Sequence, residues 1–142
     1  MTLSKRDRVA ALLRAGLLSA IVDGLFSSLL NVFAYHSTVA RLWQGVASVL
    51  LGREALDGGT RTVAIGILMH FGVAFAWSAL FLFLVLRSSQ ARRLLASPYG
   101  PLAVAALYGP LIWSVMSLAV IPLLVHRPPA ITGRWWIQFF GH

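Results

Sequence analysis

The chain has 142 residues and a formal net charge of +8; 58% of its residues are apolar and only 11% are charged. Soluble domains carry about 25% charged residues and a larger polar surface. This composition excludes a soluble enzyme, a disordered tail and a disulfide-stapled secreted domain. The chain has no cysteine, which also excludes thiolate metal sites and thiol catalysis. We predict one all-α integral membrane domain over residues 1–142.

Three stretches are long and apolar enough to cross a bilayer, which needs about 20 residues of helix. We predict a cytoplasmic leader at 1–14, a first span at 15–35, a second at 62–86 and a third at 102–125. A cleaved signal peptide is the alternative for the first span. Arg14 interrupts its apolar region and no A-x-A cleavage site follows, so we favour an uncleaved helix.

The two loops and the C-terminal tail have different sequence patterns. The outer loop at 36–61 has an apolar stripe at helical spacing over 39–51. This stripe predicts an amphipathic helix in the outer interface, with a re-entrant segment as the alternative. A cytoplasmic loop follows at 87–101. The outer tail at 126–142 has four aromatic residues but is too short to span; it is either an interfacial helix or the start of a fourth span.

Lysine and arginine are concentrated in these connections. Cations in this position orient membrane helices, and no nucleic-acid-binding motif is present, so nucleic acid is not an expected partner. Seven Lys and Arg residues fall on the N-terminal side of the predicted membrane and five on the other. The N-terminus is therefore predicted to be cytoplasmic.

Asp23 lies near the middle of the first predicted span. A charge at that depth costs about 2.5–3.5 kcal/mol on insertion scales. Such a residue faces protein or water, and marks either a functional site or a hydrogen bond between helices. Small and polar residues share its helix face, which predicts interior packing: Gly16, Ser19, Ala20 and Ser27.

His70 lies in the second predicted span, at a depth similar to that of Asp23. Together with polar residues of the third span, the two predict one polar layer inside the membrane: Asp23, Ser27, His70, Tyr108, Ser114 and Ser117. Gly66, one turn before His70, suggests room for a flat macrocycle, which makes His70 a candidate ligand for haem, chlorophyll or a metal. The alternative is a histidine that hydrogen-bonds to Asp23 or to a serine. Otherwise no cofactor and no metal are expected, because the sequence lacks metal-ligand spacing.

No motif of nucleotide binding or nucleophilic catalysis is present in the sequence, and three of its four carboxylates lie outside the predicted spans. We therefore expect a protein that is not an enzyme. Gly109, Pro110 and Pro122 interrupt the third span and predict a bent helix.

Four short segments carry a family resemblance: 41–52 (RLWQGVASVLLG), 57–59 (DGG), 70–71 (HF) and 106–109 (ALYG). They resemble segments of small, uncharacterised, four-span bacterial inner-membrane proteins, and the resemblance covers most of the chain from Asp23 onward. It implies a bacterial inner-membrane location and a fourth span that begins near Phe140, Gly141 and His142. It implies no particular activity.

Two hypotheses of function follow. The first is a structural or accessory subunit, or a homo-oligomer, whose partners are membrane lipids, other membrane-protein subunits or itself. The second is a ligand- or proton-handling protein centred on Asp23 and His70.

Overall fold

A computed structural model describes residues 4–142, and these contain helices but no β-strand. Three helical stretches have the length and composition of membrane spans: Lys5–Phe33, Gly59–Arg87 and Gly100–Val125. The all-α class and the three candidate spans are therefore confirmed. Of the predicted leader at 1–14, residues 1–3 lie outside the described residues.

Helix α1 (Lys5–Phe33) begins well before the predicted first span. A capping box explains the early start: the Asp7 amide donates to Ser4 Oγ over 3.2 Å, and the Ser4 amide donates to the Asp7 carboxylate over 3.3 Å. These bonds satisfy two amides that a helix N-terminus otherwise leaves without a partner. Residues 5–14 of the predicted leader therefore continue the helix.

Helix α2 (Val39–Leu51) has the bounds predicted for the amphipathic helix. Thr38 caps it by accepting the Arg41 amide over 3.1 Å, and Gly52, at φ +79°, ends it in a conformation that glycine tolerates. A 3₁₀ turn at Arg53–Asp57 follows. The Arg41 guanidinium donates to the Leu56 carbonyl over 3.0 Å and holds this turn against α2.

Helix α3 (Gly59–Arg87) contains the second candidate span. A short helix that the sequence analysis missed, α4 (Ser89–Leu95), follows within the loop at 87–101. Ser88 caps α4 by accepting the Ala91 amide over 3.1 Å. Arg92 of α4 donates to the carbonyls of Val85 and Leu86, so its cation lies where the C-terminal end of α3 attracts positive charge.

The third candidate span has three parts: α5 (Gly100–Val115), a π-helical turn at Met116–Val120 and α6 (Ile121–Val125). The predicted interruption at Pro110 does not break the helix, since Pro110 lies inside α5. The irregular turn comes just before Pro122, the second proline predicted to interrupt the span. The Pro122 ring lacks an N–H and crowds the preceding turn, and the wider π turn relieves this crowding.

The chain forms two compact units, residues 1–83 and residues 84–142. In the first unit, the buried face of α1 consists of Gly16, Ala20 and Gly24. Gly16 faces the Phe75 ring of α3, and Gly24 faces His70 and Trp43. Ser19, expected on this face, is exposed, because the packed residues recur every four positions and its direction differs from theirs.

In the second unit, α7 (Gly133–Gly141) packs on α5. Trp135, near the start of α7, bonds to Ser117, whereas His142, at its end, meets Trp113 and Gly109. Later residues of α7 thus meet earlier residues of the third candidate span, so α7 runs antiparallel to that span.

Candidate functional site

Asp23 of α1 and His70 of α3 come together in the first unit. The carboxylate oxygen Oδ2 of Asp23 lies 3.8 Å from Nδ1 of His70. The histidine side chain is 15% exposed and that of the aspartate 33%, so the contact is largely shielded by the three helices of the unit. The sequence paired these residues by depth alone, and the structure places them within ion-pair distance.

The second nitrogen of the His70 ring bonds to the backbone of α1. Nε2 lies 2.9 Å from the carbonyl oxygen of Ala20. A carbonyl can only accept, so Nε2 carries the hydrogen of this bond. In a neutral imidazole, Nδ1 then presents a lone pair to Asp23, and a hydrogen bond between the two requires a further proton on Asp23 or on His70. We call Asp23, His70 and the Ala20 carbonyl the interhelical clamp.

Helix α2 closes one side of the interhelical clamp. The Trp43 ring lies 5.2 Å from the His70 ring, centroid to centroid, and is only 8% exposed. A β-carbon on Gly24 would lie 3.4 Å from both His70 Nε2 and the Trp43 ring. A β-carbon on Gly66 would overlap the main-chain carbonyl of Trp43. Glycine at these positions therefore lets three helices approach the same imidazole.

The surroundings of His70 do not fit an axial ligand of a tetrapyrrole. Such a ligand needs a ring nitrogen with a free lone pair and open space on its helix face. Here Nε2 is bonded to Ala20, Nδ1 faces Asp23, and the space beside Gly66 is filled by the backbone of Trp43. Over residues 4–142, no group of three or more His, Cys, Asp or Glu side chains is arranged to hold a metal ion.

No family model, curated protein or solved structure matches this chain. The resemblance to four-span membrane proteins therefore stays a prediction.

The other four residues of the predicted polar layer lie on α1 and in the third candidate span. Ser27 is half-buried on α1 and Tyr108 half-buried on α5. Ser114 and Ser117 each donate to the carbonyl four residues earlier in their own helix, over 2.8 Å and 2.6 Å. Serines in apolar helices commonly satisfy their hydroxyl in this way. A single layer that joins all six residues stays a prediction.

An aromatic cluster in the second unit was missed by the sequence analysis. Trp135 is only 8% exposed, and its indole N–H donates to Ser117 Oγ over 2.8 Å. The Trp113 indole donates in return to the Trp135 carbonyl over 3.2 Å. The His142 ring stacks on Trp113 at 5.0 Å, with the carbonyl of His142 against Gly109. The available signal was the aromatic content of the tail and the small residue at 109, but neither identifies its partner.

Proposed function

We propose that this chain is a non-enzymatic, multi-pass protein of the bacterial inner membrane that works through helix packing, as an accessory subunit of a membrane complex or as a homo-oligomer. The interhelical clamp carries this proposal. Both nitrogens of His70 are engaged with α1, over 2.9 Å and 3.8 Å, and Trp43 lies against the ring. These contacts use the polar groups of the first unit to join helices, as interhelical hydrogen bonds do in membranes.

The surface of α1 that would meet a partner is not its small-residue face. The small-residue face of α1 is already buried within the chain, so it is not available for association. The opposite face carries large apolar residues that are 57–64% exposed, at the four- and three-residue spacing of a heptad seam: Leu18, Val22, Leu25 and Leu29. We propose this leucine face as the contact with a second copy or another subunit.

The assembly is tested by its mass in a mild detergent. Light scattering on the purified protein is expected to give a mass above the 15.5 kDa of one chain, after correction for bound detergent. Since the chain has no cysteine, Leu25→Cys should form a disulfide-linked dimer in oxidised membranes if two copies meet at the leucine face. Ser27→Cys, on the other side of the helix, is the matched control. A monomer with no co-purifying subunit contradicts the proposal.

Proton handling is the second candidate, and the geometry of His70 favours it. With Nε2 committed to a carbonyl, a proton between Asp23 and Nδ1 has only those two positions. Asp23→Asn separates the two functions, because an amide can still bond to Nδ1 but cannot release a proton. If the protein works through packing, Asp23→Asn keeps its assembly. If it carries protons, the variant loses the carboxyl band of Asp23 in difference infrared spectra, and it loses the activity that depends on this proton.

The membrane orientation is tested by labelling single cysteines in intact spheroplasts. We propose that the N-terminus is cytoplasmic and that α2 belongs to the outer side of the membrane, with Trp43 packed inward on His70, on the basis of the charge bias of the connections. Cysteines at Ser48 and Thr60 should react with an impermeant thiol reagent, and one at Ser89 should react only after lysis. The reverse pattern contradicts the orientation.

We further propose that α7 enters the membrane beside the third span. The support is that α7 runs antiparallel to the third span and contacts it far from its Val125 end. At 1.5 Å per residue, the contacted residues Ser117 and Gly109 lie about 12 Å and about 24 Å from that end. An interfacial helix would contact only the end of the span. In the same labelling experiment, Ala130→Cys should react and Phe140→Cys should not. Equal labelling of the two would place α7 at the surface.

A further inference from the structure

The second unit has an open groove of about 510 Å³ beside the end of the third span. One face of the π turn and α6 supplies an apolar floor, and two basic residues line one end: Leu118, Ala119, Pro122, Leu123, then His126 and Arg127. The groove thus combines an apolar surface, which covers about the last two turns of the span, with a basic rim at its end.

The local backbone builds this rim. His126 adopts a left-handed conformation, φ +54° and ψ +42°, that ends α6. The amides of His126 and Arg127 both donate to the Pro122 carbonyl, the latter over 3.2 Å. This is the geometry of a left-handed helix C-cap. It turns the chain sharply, so that Arg127 emerges beside the groove and Pro129 forms its far wall.

The charge of the rim has no matching carboxylate side chain in its own unit. Residues 84–142 contain no aspartate or glutamate, whereas they contain five arginines. His126 Nδ1 lies 3.2 Å from the Leu124 carbonyl, which makes it the donor and directs Nε2 elsewhere. An anion with an apolar body complements both parts of the groove. A small hydrophilic anion would use only the rim.

We propose that this groove binds an anionic phospholipid. One acyl chain lies along Leu118, Pro122 and Leu123, and the phosphate meets the Arg127 guanidinium and the Nε2–H that the His126 ring carries as an imidazolium. Arginine recognises phosphate oxygens through a planar set of donors, and a basic residue at the membrane surface favours anionic lipid about fivefold over zwitterionic lipid. Apolar residues on the floor explain why the ligand is a lipid and not free phosphate.

Native mass spectrometry of the full-length purified protein tests this proposal. Phosphatidylglycerol and phosphatidylcholine with identical acyl chains are added in turn, and the retained fraction is compared. We expect about fivefold greater retention of phosphatidylglycerol. Arg127→Gln should abolish this preference, and His126→Asn, which tolerates the left-handed backbone, should weaken it. Arg93→Gln removes the same charge from α4, away from the groove, and should leave the preference unchanged.

A variant that fills the groove tests the apolar floor separately from the basic rim. Ala119→Phe adds bulk to the floor without changing charge, and should lower retention of both lipids severalfold while circular dichroism shows the helix content of the unchanged protein. Three results would overturn the proposal: equal retention of the two lipids by the unchanged protein, equal losses from Arg127→Gln and Arg93→Gln, or displacement of bound lipid by an equal concentration of inorganic phosphate.

Discussion

Gly66→Ala is expected to destabilise the first unit, although alanine is the better helix former. A β-carbon at this position would overlap the carbonyl of Trp43, and that atom belongs to the backbone of α2, which cannot move aside as a flexible side chain can. Overpacking of this kind costs about 1–3 kcal/mol. The gain from replacing a helical glycine is about 1 kcal/mol. We therefore expect a net loss, and a larger loss with Gly66→Val.

Gly72 provides a matched control on the same helix. A β-carbon there would meet nothing within 4 Å, so Gly72→Ala should leave stability unchanged or raise it by up to about 1 kcal/mol. Thermal unfolding in detergent, followed by circular dichroism, measures both variants. Trp43 fluorescence should also shift in Gly66→Ala, because α2 must move away from α3. Equal stability of the two variants would contradict the close approach of Trp43.

The second large effect is expected from leucine substitutions in the interhelical clamp. His70→Leu removes the bond to the Ala20 carbonyl and leaves Asp23 facing an apolar side chain, so it should destabilise the unit by about 1–2 kcal/mol. Asp23→Leu removes a longer contact with His70, 3.8 Å against 2.9 Å, and leaves the bond between His70 and the Ala20 carbonyl in place, so it should cost less. Interhelical hydrogen bonds in membranes average about 0.6 kcal/mol with a maximum near 1.7, so the loss from His70→Leu is expected towards the lower end of its range.

Asp23→Asn is the conservative control for these variants. Its amide occupies the volume of the carboxylate and can still bond to His70, so unfolding should be close to that of the unchanged protein. A loss as large as that of Asp23→Leu would show that the charge of Asp23, and not its polar contact with the imidazole, stabilises the helices.

Local sequence signals predicted the individual helices well. The bounds of α2 follow from the Thr38 cap and from Gly52, which are short-range features. Asp23 and His70 could be paired because both are costly in hydrocarbon and lie at similar depth. The apolar run predicts a first span from residue 15, whereas the capping box of Ser4 and Asp7 begins α1 at Lys5.

Contacts between distant segments were not accessible to the same reasoning. Gly66 was interpreted as space for a macrocycle, but the structure fills that space with Trp43, and no periodicity indicates which distant backbone approaches a glycine. The bonds of Trp135 with Ser117 and with Trp113 likewise join segments on either side of a sharp turn at His126. Pattern analysis gives the face of a helix, and only tertiary structure gives the partner of that face.

A double-mutant cycle at Asp23 and His70 tests the central claim, that these side chains join α1 to α3, most directly. Unfolding free energies of Asp23→Leu, His70→Leu and the double variant are measured in one detergent. Contact between the side chains predicts that the double variant loses less stability than the two single losses combined, by about 0.5–1.5 kcal/mol. Additive losses would contradict the claim, because they would show that the two side chains stabilise their helices independently.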